Sequence, residues 1–425
     1  MGATRPQRSG ATAPDVVAPP PHHPRFPLSD GVRGIAAIAV LVVHTWLFTG
    51  GFGGFTGSVP NRAVVRLDGM VAIFFLLSAF LLYRPMIAYR AGGPDSPAVG
   101  DYARRRFLRI YPAYWVALTS LAIFPGLVGV FSGKWWVFYG LGDFFDPSFH
   151  KSACPLDQEF RCGLPQSWTL AVEMTFYIVL PIYAALTAHL ARRRDVRSWM
   201  RAELLLIAAL AAGSLLLNAT SLRGNSWFQF SFAAHFWWLG LGLALAVISA
   251  AYAHRREDLP APLRQAASRP GACWAGALAI YIFTIFAFYP APFPVAPFTG
   301  LQYIALSLAQ GAAAVLLVIP VLFGNPNAGV PARILGTRLL LWLGLLSYGL
   351  YLWQVTVIVD LGFAGARASF VPVLIGTLLI ALPLAAASYY LIERPLMRFK
   401  YTSPRELLSR RRARRGPPRP DRARV

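Results

Sequence analysis

Charged residues are scarce in this chain of 425 residues. Asp, Glu, Lys and Arg together make up 14% of the sequence, against 56% hydrophobic residues, and the mean hydropathy is +0.50. This balance excludes an ordinary soluble domain and is typical of a polytopic membrane protein. The apolar runs predict an all-α fold of about ten transmembrane helices of roughly 20 residues each. We place these helices near residues 30–49, 67–88, 107–125, 168–189, 202–218, 231–252, 273–290, 300–323, 339–361 and 371–392.

We expect no cleavable signal peptide, and the sequence shows no clear internal repeats. Residues 1–27 are rich in Pro and Arg, and the first apolar run is too long for the hydrophobic region of a signal peptide. We therefore expect a disordered cytoplasmic tail over residues 1–27, a membrane domain over residues 28–400 and a basic cytoplasmic tail over residues 401–425. We expect no additional soluble domain.

Cysteine is rare, with three residues in the whole chain. Cys154 and Cys162 share the longest predicted outer loop, residues 126–167, which faces an oxidising compartment in our topology. Their positions favour a disulfide bond between them. Cys273 lies in an apolar run, where a small buried core residue is expected.

The net charge of +22 is explained by topology rather than by nucleic-acid binding. With a cytoplasmic N-terminus, most Lys and Arg residues fall in the inner loops and the two tails, as the positive-inside rule requires. We therefore predict a multi-pass protein of the inner (plasma) membrane with both termini in the cytoplasm. The few basic residues left on the outer side are Arg62, Arg66, Lys134, Lys151, Arg161, Arg223 and Arg367.

Two ionisable residues interrupt the first apolar run, LSDGVRGIAAIAVLVVHTW, with Arg33 near its start and His44 near its end. A charged residue at mid-bilayer costs about 2.5–3.5 kcal/mol on insertion scales, so such residues are functional candidates. The separation is close to three helical turns, about 16 Å, so the two side chains share one face at different depths. The alternatives are that Arg33 reaches the interface and that His44 makes a helix–helix contact.

A cluster of arginines, which includes Arg105, Arg106 and Arg109, lies where the third run enters the membrane. Guanidinium groups bind phosphates through paired hydrogen bonds, and Arg106 and Arg109 share one helix face. The alternative is that these residues only mark a cytoplasmic helix end and bind anionic membrane lipid. Glu173 lies near the outer end of the fourth run, at a depth similar to that of His44. A lone carboxylate there needs a partner or a wet cavity.

Several separated stretches resemble the membrane acyltransferase 3 family, in the family's order. They are DGVRG followed by His (30–44), FFLLSAF (74–80), RFLRIYP (106–112), WTLAVEMTFY (168–177), SYGLYLWQ (347–354) and ERP (393–395). The sequence departs from the family pattern at Ala79, where members carry Gly, and at Ala72, where many carry Asp. It also has Gln354 where members usually carry His. We interpret FFLLSAF, including Ser78, mainly as a helix-packing stretch.

The resemblance implies transfer of an acyl group, often acetyl, from acyl-CoA to a hydroxyl-bearing acceptor. Such acceptors include a sugar, a glycolipid, a cell-envelope polymer or an antibiotic. The phosphates of acyl-CoA would bind the arginine cluster, and Arg33 would hold part of the coenzyme. His44 would act as the general base, with Glu173 orienting its imidazole or stabilising its charged form. A covalent acyl-His step is the lesser variant.

Trp168, Tyr348 and Gln354 are the predicted substrate-binding residues. An amide hydrogen-bonds but does not shuttle protons near neutral pH, so Gln354 would orient substrate. No metal is expected. The alternative function is a transporter or flippase for an amphipathic or lipid-linked substrate, since a helical bundle with buried polar residues serves that role too.

Overall fold

The structure of the protein is a computed structural model, which describes residues 26–50, 57–142, 161–192, 194–220, 222, 226–253, 256–288, 299–363 and 369–399. Within these ranges the regular elements are helices, and the only β-type contact is an isolated bridge between Val128 and Cys162. Cys162 is buried, whereas Cys154 lies outside the described residues, so the disulfide stays a prediction. Both predicted tails also lie outside the described residues, except for residues 26 and 27 at the end of the N-terminal tail.

The described part of the chain contains ten long helices. They are α1 (Ser29–Thr49), α2 (Val71–Ile87), α3 (Val99–Ile123), α4 (Trp168–Ala191), α5 (Val196–Asn218), α6 (Phe232–Ala251), α7 (Pro270–Ala287), α8 (Gly300–Phe323), α9 (Arg338–Phe363) and α10 (Phe370–Ser388). Nine helical stretches in these ranges are long and apolar enough to span a membrane, and they include every long helix except α3. The first half of α3 carries the arginine cluster, which lowers its hydropathy. The predicted all-α polytopic membrane fold is confirmed.

Shorter helices connect or extend the long ones. The segment Val59–Val65 continues through a 3-10 turn, Arg66–Met70, into α2, and a second 3-10 turn, Pro165–Ser167, leads into α4. A π-helical turn, Tyr389–Glu393, follows α10 and passes into Arg394–Arg398. The other short helices are Ala88–Ala91, Trp135–Tyr139, Ser226–Gln229, Arg256–Asp258, Ala261–Ser268 and Gly329–Leu335.

Helices α1 and α9 pack along their length, backbone against backbone. A Cβ atom added at Gly344 would lie 1.9 Å from the carbonyl oxygen of Asp30, and one added at Gly362 would lie 3.4 Å from that of Phe48. Glycine permits this approach because it has no side chain. Since the contact positions rise together along both helices, α1 and α9 run parallel. His44 and Gln354 therefore lie within about one helical turn of the same depth.

A buried ion pair joins α2, α4 and α5 away from the α1–α9 contact. Arg90 Nη1 lies 2.9 Å from Glu203 Oε2, and the same carboxylate accepts hydrogen bonds from Trp199 Nε1, at 2.5 Å, and from the Tyr83 hydroxyl. Arg90 also donates to Thr187 Oγ1 at 3.0 Å. A buried ion pair persists when its remaining donors and acceptors are satisfied in this way, so this network holds the three helices together.

Candidate active site

A cavity of about 340 Å³ lies inside the bundle, lined by residues of α1, α2, α3, α4 and α9. Five ionisable residues singled out from the sequence line it, namely Arg33, His44, Arg106, Arg109 and Glu173. The three predicted substrate-binding residues, Trp168, Tyr348 and Gln354, line it as well. These eight predicted residues belong to α1, α3, α4 and α9, so tertiary packing brings together side chains that are far apart in the sequence.

We call the part of the cavity lined by Arg33, Arg106 and Arg109 the basic end. The guanidinium carbon of Arg106 lies 5.8 Å from the centre of the Tyr177 ring, and the buried Arg106 Nε has no hydrogen-bond partner among the described residues. Arg33 interacts electrostatically with Arg109, a repulsion between like charges that a bound anion relieves. The basic end is therefore suited to an anionic ligand.

Arg105 is not part of this cavity lining. Its Nε donates to the backbone oxygen of Asp101, one turn back along α3, at 3.0 Å. Arg105 lies four residues before Arg109, so these two share a helix face, whereas Arg105 and Arg106 point about 100° apart. The cavity lining does not include Arg105, and its part in phosphate binding stays a prediction.

Glu173 and His44 line the same cavity but are not hydrogen-bonded to each other. The Ser78 hydroxyl donates to Glu173 Oε1 at 2.5 Å. His44 Nδ1 is buried and has no hydrogen-bond partner in the described part of the chain. In this structure Ser78 holds the carboxylate, and no hydrogen bond joins Glu173 to the imidazole; the role of Glu173 towards His44 stays a prediction.

We call the part of the cavity lined by His44, Trp168 and Gln354 the histidine end. The Trp168 ring packs against Phe230 and His235, with ring centres 5.6 and 4.9 Å away. Gln354 is 1% exposed, and its Oε1 is buried without a partner among the described residues. This end is aromatic on one side and offers unpaired polar atoms on the other.

Tyr348 lines the cavity with its ring while its hydroxyl is engaged elsewhere. The hydroxyl donates to the backbone oxygen of Ile110 at 2.9 Å, which ties α9 to α3. The ring stacks on that of Tyr351, 6.3 Å away. Tyr348 can therefore contact a ligand through its ring face, and its hydroxyl serves to hold the two helices together.

The sequence interpretation missed three residues of this region. Ser78 was assigned to helix packing, although a serine at the level of an intramembrane carboxylate is a signal for a hydrogen bond. Gln166 precedes Trp168 in a turn, where no periodicity marks it. Glu393, in the ERP stretch, ends the π-helical turn. It is 3% exposed, has an unpartnered Oε1 and interacts electrostatically with Arg109 and Arg33. π-helical turns occur often at functional sites.

Comparisons with known proteins identify the family of the chain. Residues 28–391 match a family model described as an acyltransferase domain. The putative peptidoglycan O-acetyltransferase YrhL of Bacillus subtilis is 25% identical over 400 residues, which cover 88% of this chain and 55% of the relative. Nodulation protein 10 of Rhizobium leguminosarum is 26% identical over a match that covers 87% of this chain and 93% of the relative. The peptidoglycan O-acetyltransferase OatA of Listeria monocytogenes is 25% identical over a match that covers 78% of this chain and 49% of the relative.

The chain thus spans about half the length of two of these relatives. No solved structure matches. The family match covers most of the chain and includes every described residue that lines the cavity. The chain therefore belongs to the acyltransferase 3 family, whose members are enzymes that transfer acyl groups other than aminoacyl groups.

Proposed function

We propose that this protein moves an acetyl group from acetyl-CoA to a hydroxyl of a cell-envelope sugar polymer. The observation that carries the proposal is a single cavity with three arginines at one end and an unpaired imidazole at the other. The printed names of two relatives, both peptidoglycan O-acetyltransferases, support the acceptor class.

The basic end is proposed to bind the acyl donor from the cytoplasm. Coenzyme A carries phosphates, and the buried, unpartnered Nε of Arg106 fits a phosphate oxygen. A cavity of about 340 Å³ is at the lower end of the range for ligand pockets. It therefore suits the narrow acyl-bearing arm of the donor, with the phosphates at the basic end and the rest of the nucleotide outside the cavity. In this proposal the basic end and both termini face the cytoplasmic side of the plasma membrane.

His44 is proposed to start the chemical step. Its imidazole takes the proton of the acceptor hydroxyl, whose oxygen attacks the thioester carbonyl. The C–S bond then breaks, and the imidazolium returns the proton to the leaving thiolate. Glu173, held by Ser78, contributes a fixed negative charge that stabilises the transient imidazolium across the cavity.

Donor binding is tested with purified protein in detergent and radiolabelled acetyl-CoA. The double substitution of Arg106 and Arg109 by Ala removes charge-assisted hydrogen bonds worth about 1.5–3 kcal/mol each, so the dissociation constant should rise at least a hundredfold. Arg105→Ala is the matched control, because Arg105 lies in the same cluster but outside the cavity lining. Equal donor affinity in the double variant and the control would contradict the proposed donor site.

A further inference from the structure

Gln166 lines the cavity and carries one unpaired hydrogen-bond acceptor. Its Nε2 donates to two backbone oxygens of α9, those of Tyr351 at 3.2 Å and Leu352 at 3.0 Å. An amide nitrogen has two hydrogens, so both are engaged and the amide cannot turn over without losing them. Gln166 is 4% exposed, and its Oε1 is buried with no partner among the described residues.

The surrounding hydrogen bonds hold this amide in place. The Tyr351 hydroxyl donates to the backbone oxygen of Gln166 at 2.7 Å, and Thr169 Oγ1 donates to the Tyr351 hydroxyl at 3.0 Å. The turn before α4 is thus fixed to α9 by a side-chain bond in each direction. The position of Gln166 Oε1 is consequently set before any ligand binds.

A second amide with an unpaired oxygen, that of Gln354, lies on α9 close to the two backbone oxygens that Gln166 contacts. Gln354 is three residues beyond Tyr351, so the side chains of Gln354 and Tyr351 share a helix face. Its Oε1 is also buried without a partner. Buried amide oxygens left unpaired are unfavourable and need an explanation such as a ligand. Both residues line the cavity whose other polar groups include His44.

The chemistry of the Gln166 oxygen, which is held in place, restricts the ligand. An amide oxygen accepts hydrogen bonds, so its partner must supply O–H or N–H groups. Phosphate, carboxylate and thioester groups supply none. A sugar ring supplies several hydroxyls next to one another, so one can reach His44 while its neighbours reach the two amides.

We propose that Gln166 and Gln354 form a subsite that reads the hydroxyl groups adjacent to the one being acylated. This subsite selects a sugar-type acceptor and the position of acylation on it. The proposal rests on the proposed acyl transfer and adds the recognition of the acceptor. The other source of such hydrogen-bond donors is the pair of amide N–H groups in the arm of acetyl-CoA, which the experiment separates.

The experiment compares substrates as well as variants. Transfer from acetyl-CoA is measured with methyl β-D-glucopyranoside and with its 2-, 3- and 4-deoxy analogues, each of which lacks one hydroxyl. We expect wild type to prefer the parent sugar over at least one analogue by about tenfold in kcat/KM, the effect of one hydrogen bond to a buried group. In Gln166→Met the ratio of kcat/KM for the parent sugar to kcat/KM for that analogue should fall to nearly one. KM for acetyl-CoA and its hydrolysis without acceptor should stay within about threefold of wild type.

Thr169→Val is the matched comparison, because it removes one of the bonds that hold the turn but keeps the Gln166 amide, so the preference should fall less than in Gln166→Met. Gln354→Met provides the same test in case Gln166→Met does not fold. A parallel loss of rate with all sugars, at an unchanged ratio, would make Gln166 a structural residue and overturn the proposal. A rise in KM for acetyl-CoA alone would assign the amides to the donor arm and overturn it as well.

Two outcomes in wild type keep this proposal apart from the proposed function. Hydrolysis of acetyl-CoA with no transfer to any of the sugars would overturn the sugar-reading subsite and leave the donor chemistry standing. Absence of both acetyl-CoA binding and hydrolysis would overturn the proposed function itself.

Discussion

Replacing His44 by alanine removes the imidazole that lines the cavity at the histidine end. Because general-base catalysis contributes a factor of about 10²–10⁴, the rate of acetyl transfer should fall by this amount. Stability should change by about 1 kcal/mol or less, since His44 Nδ1 makes no hydrogen bond that the substitution would break and the ring borders an existing cavity. Donor affinity should be retained, because the arginines lie on other parts of the lining.

The structure also predicts how the effects of substituting His44 and Glu173 combine. Since Ser78, and not His44, donates to the Glu173 carboxylate, the two groups are not one hydrogen-bonded unit. Glu173→Gln removes the charge and should cost about tenfold in rate, on the order of 1.4 kcal/mol. The double variant should lose little more than His44→Ala alone, because without the imidazole no imidazolium forms for the Glu173 charge to stabilise. Residues that act independently would instead show a double loss close to the product of the single losses.

The assay is transfer of radiolabelled acetyl groups by each purified variant in detergent, with thermal unfolding recorded alongside. Ser78→Ala is the control for the carboxylate, because it removes the hydrogen bond and leaves the charge in place. It should lower the rate less than Glu173→Gln does. Full activity of His44→Ala would refute the role of His44 as base, and strictly multiplicative losses would refute the stabilisation of its imidazolium by Glu173.

Three further outcomes are expected. Gly344→Ala should lower the unfolding temperature in detergent, because its Cβ would lie 1.9 Å from a backbone oxygen of α1, whereas Gly213→Ala, which meets nothing within 4 Å, should not. Glu203→Leu should destabilise by about 3–5 kcal/mol in chemical unfolding, since it leaves a buried arginine unpaired. A single cysteine in place of Ser226 should be labelled by an impermeant thiol reagent added to whole cells, whereas a single cysteine in place of Ser96 should not. Labelling at position 96 alone would contradict the proposed orientation.

The depth and identity of the main chemical groups are readable from the chain alone. A charge inside an apolar run is costly wherever the run lies, so Arg33, His44 and Glu173 stand out without any tertiary information. Helical periodicity also places Arg106 and Arg109 on one face, but it does the same for Arg105 and Arg109, so it does not separate the three arginines.

Hydrogen-bond partners are decided by packing between distant segments. Ser78 and Glu173 are 95 residues apart and meet only because α2 packs beside α4. Gln166 is oriented by backbone oxygens 185 residues further along the chain. No local pattern encodes such contacts, because they depend on which helix faces meet and at what register.

An all-α membrane fold, the family and eight of the residues that line the cavity follow from the sequence, because burial cost, helix geometry and motif order are local properties. Which polar atoms are paired depends on the tertiary structure. It separated His44 from Glu173, excluded Arg105 from the cavity lining and left the amide oxygens of Gln166 and Gln354 without partners. The physical reason is that a hydrogen bond depends on distances of about 3 Å between atoms. In a helical bundle, packing between non-adjacent helices sets those distances.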